Sequence, residues 1–208
     1  MRRLPILIVI DADSVKNIHP IRVFIERLIC GFKNNPFMLE ITYISIMYMK
    51  EASCIEIIPF MELYSLDVQL LASIESIDSF HGDTMSERNL SDVINCFLAN
   101  NLLITNTQVK GDWTPTIILF GAGSSEYSLN IIDPWATRIR LLYISEEESN
   151  VSLSRKNIFS YSVKMEFTET NFLNLRDILQ AVIDPYALAV GQEEPTILVE
   201  DIVVKPIL

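Results

Sequence analysis

The chain predicts a three-layer α/β fold: a central, mostly parallel sheet with one antiparallel edge strand and helices on both faces. Three observations lead there. Short apolar runs alternate along the chain with segments whose apolar residues recur every three and four positions, the pattern of strands and amphipathic helices taken in turn. The first run, Ile6-Leu7-Ile8-Val9-Ile10, is apolar on both sides, as a strand covered from both faces must be. It ends at once in Asp11, and in an open parallel sheet the loops at the carboxyl ends of the strands carry the binding chemistry.

The elements follow in order. Residues 6–10 form the first strand. Pro20 then opens a helix whose stripe is Ile21, Phe24, Ile25, Leu28, Ile29 and Phe32, and Gly31 with Asn34-Asn35-Pro36 stops it. Residues 39–49 are a long central strand, apolar on both faces from Ile44 onward. Residues 53–59 give a shorter strand, and Pro59, which has no N–H to donate, puts it at an edge. Hairpin pairing with the preceding strand would make the sheet mixed. Leu90, Val93, Ile94, Phe97, Leu98 and Leu102 form the next helical stripe. Residues 116–120 are a strand entering Gly121-Ala122-Gly123-Ser124-Ser125, and 138–144 and 160–167 are two more. Phe172, Leu175, Ile178, Leu179, Val182 and Ile183 make the last helix. Residues 1–184 are thus one domain. Residues 185–208 are a C-terminal tail whose strand-like part, 196–204, adds an edge strand or pairs with a partner.

Composition narrows the class. The 208 residues are 50% apolar and 21% charged, a globular balance with room for a substantial core. No apolar run approaches the roughly 20 residues that span a bilayer. Met1-Arg2-Arg3 before the first apolar run has the look of a leader, but the run is short, β-branched and ends at Asp11, so it is a strand. A net charge of -11 argues against nucleic-acid backbones as partners. Cys30, Cys54 and Cys96 lack metal-ligand spacing and sit in apolar runs, which reads as small core residues in a reducing, cytoplasmic setting.

The candidate site residues lie in three loops, 11–19, 79–84 and 121–126. Asp11, Asp13, Ser14, Asp83, Thr84 and Ser124, with Gly121 at the strand end, form the expected partner-binding face. Carboxylates and hydroxyls are the oxygen donors that Mg²⁺ or Mn²⁺ prefers. The competing reading is that Asp11 and Asp13 bond loop amides and cap the following turn. Gly121-Ala122-Gly123 lacks the lysine and spacing of a phosphate loop. A phosphate-handling enzyme built on Asp11 and Asp13 would also need a basic contact, and these loops offer only Lys16. His19 and His81 have no recognisable nucleophile beside them, so no triad is supported. Trp113 and Trp135 lack the basic stripe that stacking platforms use.

Several separated segments resemble the von Willebrand factor A family, in its bacterial TerY type encoded with tellurite-resistance and stress-response genes. They are Arg2 to Asp11 as the opening strand, Pro20-Ile21 at the helix start, Asn35-Pro36-Phe37-Met38-Leu39-Glu40, Thr42-Tyr43-Ile44-Ser45, and Lys110-Gly111-Asp112-Trp113 ahead of Pro115. The resemblance covers about residues 2–183. It implies a metal-ion-dependent adhesion site made of Asp-x-Ser-x-Ser, a threonine loop and a later Asp. Asp11 and Gly82-Asp83-Thr84 match; Asp13 stands for the first Ser, Val15 for the second, and Ala122 for the later Asp. The metal ligands it leaves are Asp11, Asp13 and Thr84, a degenerate set that holds a divalent cation weakly at best.

The resemblance implies a non-catalytic protein-interaction domain without a tightly held cofactor, its partner a component of a stress-response assembly. The alternative is a domain that keeps a weak divalent-metal site for metal-dependent partner binding.

Overall fold

The computed structural model describes residues 4–50, 53–76, 88–91, 93–95, 97, 116–121, 127–128, 139–146, 158–168, 171, 198–199 and 202–206. Six principal strands stand in the order β3-β2-β1-β5-β7-β8, where β1 is Leu4–Asp11, β2 Thr42–Lys50, β3 Ser53–Glu62, β5 Thr116–Phe120, β7 Ile139–Ser145 and β8 Ile158–Lys164. Five are mutually parallel and β3 runs antiparallel to β2 at the edge. The mixed α/β sheet expected from the alternating pattern is the one observed. On the far edge the tail contributes β10 (Ile202–Pro206), antiparallel to β8, and β9 (Leu198–Val199) beyond it. The short pair β4 (Arg88–Asn89) and β6 (Tyr127–Ser128) forms a separate parallel ladder.

Every residue of β1 is buried, which is why its side chains are apolar on both faces. Leu4, Ile6, Ile8 and Ile10 face one core with Ile21, Phe24, Ile25, Leu28, Ile29 and Phe32 of α1 (Ile18–Lys33). Leu7 and Val9 face the other with Leu90, Val93, Ile94 and Phe97. Residues 91, 93–95 and 97 are helical, so the described residues place a helix on each face. Leu98, Leu102 and the expected last helix over 172–183 lie outside the described residues, although Asn171 is helical. Full burial of a side chain of this size contributes about 1.5–3 kcal/mol, so the two faces of β1 anchor the fold.

Several boundaries differ from expectation, each for a local reason. α1 begins at Ile18, because Asn17 accepts a hydrogen bond from the His19 amide (3.1 Å) and caps it. Gly31 does not stop the helix; the chain continues to Lys33, and the Asn34 amide still reaches the Cys30 carbonyl. Asn35-Pro36, read as a stop, also starts a second helix. The Asn35 side chain accepts from the amides of Phe37 and Met38, and α2 spans Pro36–Ile41, so β2 begins only at Thr42. β3 continues past Pro59 to Glu62. Register shifts between Ile44 and Ile46 and between Ile46 and Met47 accommodate it as bulges, where a missing N–H costs no ladder bond. The buried Ser45 hydroxyl donates to the Ile58 carbonyl across that irregular stretch (3.1 Å).

Two 3-10 segments, Leu63–Ser65 and Val68–Ser76, follow β3 and have no counterpart in the sequence reading. They bury Leu63, Leu66, Leu71 and Ile74 in the α1 core, and the Lys33 ammonium donates to the Leu66 carbonyl. The expectation of core cysteines is corrected as well. Cys30 is exposed on the outer side of α1 and Cys54 is exposed on the edge strand β3, while Cys96 lies outside the described residues.

Candidate functional site

The strand order makes one position special. From β1 the chain crosses to β2 on one side, and β5 lies on the other, so the sheet changes direction between the carboxyl ends of β1 and β5. Ile10 is paired with Phe120 there, which brings Asp11 and Gly121 side by side one residue further on. The loop after β1 and the start of the loop after β5 therefore flank one crevice.

The loop after β1 is folded inward. The amides of Ser14 and Val15 donate to the Asp11 carbonyl (3.1 and 3.0 Å), and the Ser14 hydroxyl donates to the same oxygen (3.2 Å). Ala12 donates its amide to the Met49 carbonyl of β2 (3.0 Å). Ala12 and Val15 join the α1 core, with Val15 only 2% exposed. Asp11 is fully buried, and Asp13 and Ser14 are each 8% exposed. Gly121 is buried and its amide donates to the Ile144 carbonyl (3.0 Å), extending the β5–β7 ladder by one bond.

The floor beneath the crevice is aromatic. Phe120 is fully buried and packs edge-to-face on Phe24 of α1 (5.8 Å between centroids, 71°) and on Phe167 after β8 (6.4 Å, 76°). Beyond it, the end of β7 is tied to the segment after β8. The Met165 amide donates to the Ser145 carbonyl (2.9 Å), and the Phe167 amide donates to a Glu146 carboxylate oxygen (3.2 Å). Exposed Lys16 and His19 lie on the β1 side, exposed Glu146 and Glu166 on the β7–β8 side. The sequence reading passed over Ser145 and Glu146; the abrupt change from apolar strand to Glu146-Glu147-Glu148 was the available signal.

Of the expected face, the structure thus gathers Asp11, Asp13, Ser14 and Gly121 at the switch point. Asp83, Thr84, Ala122 and Ser124 lie outside the described residues. Val15 packs into the core in place of a hydroxyl ligand, Ser14 turns its hydroxyl onto the loop's own backbone, and Ala122 has no donor. Among the described residues no group of three or more His, Cys, Asp or Glu side chains gathers.

No family model matches the chain, and no curated protein matches it. Solved structures do resemble it. A mutant form of the PilB minor pilin from Streptococcus sanguinis superposes with a TM-score of 0.51 at 10% identity, over 92% of this chain and 64% of that one. The SpRpn10 VWA domain gives a TM-score of 0.44 at 9% identity, over 84% of this chain and 95% of that one. The vWF domain of the type V pili tip protein Mfa5 from Porphyromonas gingivalis gives 0.39 at 16%, over 59% and 38%. This chain therefore spans less than two thirds of the pilin and of the Mfa5 domain. At such identities the likeness concerns the fold alone, a mixed, mostly parallel α/β sheet with helices on its faces.

Proposed function

We propose that this protein is a non-catalytic protein-interaction domain that binds its partner at the crevice between the carboxyl ends of β1 and β5, without a divalent cation. The observation that carries this reading is the state of the loop after β1. It stands where an open α/β sheet places its ligands, yet its Ser14 hydroxyl serves the loop's own backbone and Val15, at the third ligand position the resemblance implies, lies in the core. A loop held by packing and internal hydrogen bonds presents its rim without an ion to organise it. The occurrence of named VWA and vWF domains and of pilus proteins among the structural neighbours supports an interaction role by analogy of fold.

The finer reading rests on the TerY-like segments: a bacterial, cytoplasmic member of a tellurite-resistance or stress-response assembly, with another protein of that assembly as partner. No helix among the described residues is long and apolar enough to cross a membrane.

The test is affinity capture from native lysate with the full chain, run in Mg²⁺ and in EDTA, beside a Lys16→Ala/His19→Ala variant of the rim. Capture of one specific protein that survives EDTA and falls with the rim variant supports the reading. Capture abolished by EDTA, together with a thermal shift in millimolar Mg²⁺, Mn²⁺ or Ca²⁺, would establish the metal-dependent alternative instead.

A further inference from the structure

We propose that Cys54, Met47 and Met49 form a binding site for a soft monovalent cation of the Cu(I) class, at the end of the β2–β3 pair where β2 finishes and β3 begins. The Cys54 Sγ lies 3.8 Å from the Met47 Sδ. In the antiparallel register Met49 stands directly opposite Cys54, and Met47 opposite Glu56. All three sulfur-bearing side chains therefore share one face of the sheet. Directly opposed side chains stand about 4.5–5.5 Å apart at Cβ, and diagonal neighbours remain within reach of long side chains. Met49 adjoins the loop after β1 through its backbone, the Ala12 amide donating to its carbonyl, but the sulfur cluster does not rest on the interaction reading.

Spacing, chemistry and access agree. With metal–sulfur bonds of about 2.3 Å, two sulfurs on one ion at tetrahedral to trigonal angles stand roughly 3.8–4.0 Å apart, so the observed pair needs no rearrangement. The same distance would serve simple packing; the third sulfur in register and the exposed thiol are what make the contact a site. Met47 and Met49 are 7% and 3% exposed and belong to the core wall, while Cys54 is exposed at the mouth. An ion can reach the thiol and be drawn onto the thioethers.

Thiolate with thioether is the donor set that selects Cu(I) over oxygen-seeking Mg²⁺ and Ca²⁺. Charge balance points the same way. Binding expels one proton from the Cys54 thiol, and the resulting thiolate cancels a single positive charge, leaving a neutral complex in a half-buried place. A divalent ion such as Zn²⁺ would want a fourth ligand and prefers nitrogen and thiolate over thioether.

The experiment uses the full chain and Cu(I) supplied anaerobically from a chromophoric chelator, whose loss of colour reports transfer. One equivalent should transfer with release of one proton, and X-ray absorption should show three sulfur neighbours. Cys54→Ser should abolish the transfer, while Cys30→Ser and Cys96→Ser leave it unchanged. Met47→Leu and Met49→Leu should each weaken binding at least about tenfold, the scale on which lost metal-site contacts act. Both are volume-conserving, so they keep the test decisive even if Cys54→Ser lowers stability. No transfer to the wild-type chain, transfer undiminished in Cys54→Ser, or methionine variants that bind as tightly as wild type would each overturn the proposal.

Discussion

The loop after β1 and the end of the β2–β3 pair where β2 finishes and β3 begins lie at the same end of the sheet, yet they spend their polar atoms in opposite ways. In the loop, a hydroxyl and two amides converge on one backbone oxygen, that of Asp11, and the side chain in the expected ligand position faces the core. At the hairpin, two methionines that could have been any large apolar residue stand on the same face as an exposed thiol. A region marked by a binding pattern can thus turn inward, and a region without one can assemble donors across a ladder.

The loop should be the costlier place to disturb. Phe120→Ala removes the ring that joins α1, β5 and the segment after β8, and should cost about 3–5 kcal/mol. Urea unfolding measures it; a loss below about 1 kcal/mol would mean the crevice floor is not part of the core. Next comes Val15→Ser, which restores the family's hydroxyl. Because Val15 is packed against α1, the change should cost about 2 kcal/mol rather than create a ligand, and the unfolding temperature should not rise in millimolar Mg²⁺. A Mg²⁺-dependent recovery of stability would show that the loop can still turn outward.

How much of this was legible in the sequence follows from how far each feature reaches along the chain. β1, α1 and the central strands were visible because burial on two faces or on one stripe leaves a pattern within a dozen residues. The crevice was visible because Asp11 directly follows a buried strand. Asn35-Pro36 was ambiguous by nature, since the residues that end one helix also cap the next. The 3-10 segments escaped because Leu63, Leu66, Leu71 and Ile74 do not keep a 3.6-residue period. The sulfur cluster went unread because Met47 and Met49 meet Cys54 only across the strand pair, through its antiparallel register.

The hairpin itself should yield to smaller insults. Ser45→Ala deletes the bond from a buried hydroxyl to the Ile58 carbonyl beside the bulges, at a cost of about 1 kcal/mol. If that bond fixes the register, the same variant should also weaken Cu(I) binding, since Met49 and Cys54 would no longer be held opposite. Unchanged Cu(I) affinity beside a normal loss of stability would place the register's control elsewhere in the ladder.

The smallest effect on stability is the most informative. Leucine nearly matches methionine in volume, and such swaps in a core cost under about 1.5 kcal/mol. Met47→Leu should therefore leave the unfolding midpoint close to wild type, because what packs against Val9 and Leu90 is bulk rather than sulfur. A protein that loses Cu(I) affinity by an order of magnitude while keeping its stability would be using the thioether for ligation and not for packing. Equal losses in both would return Met47 to the core and leave the hairpin without a metal-binding role.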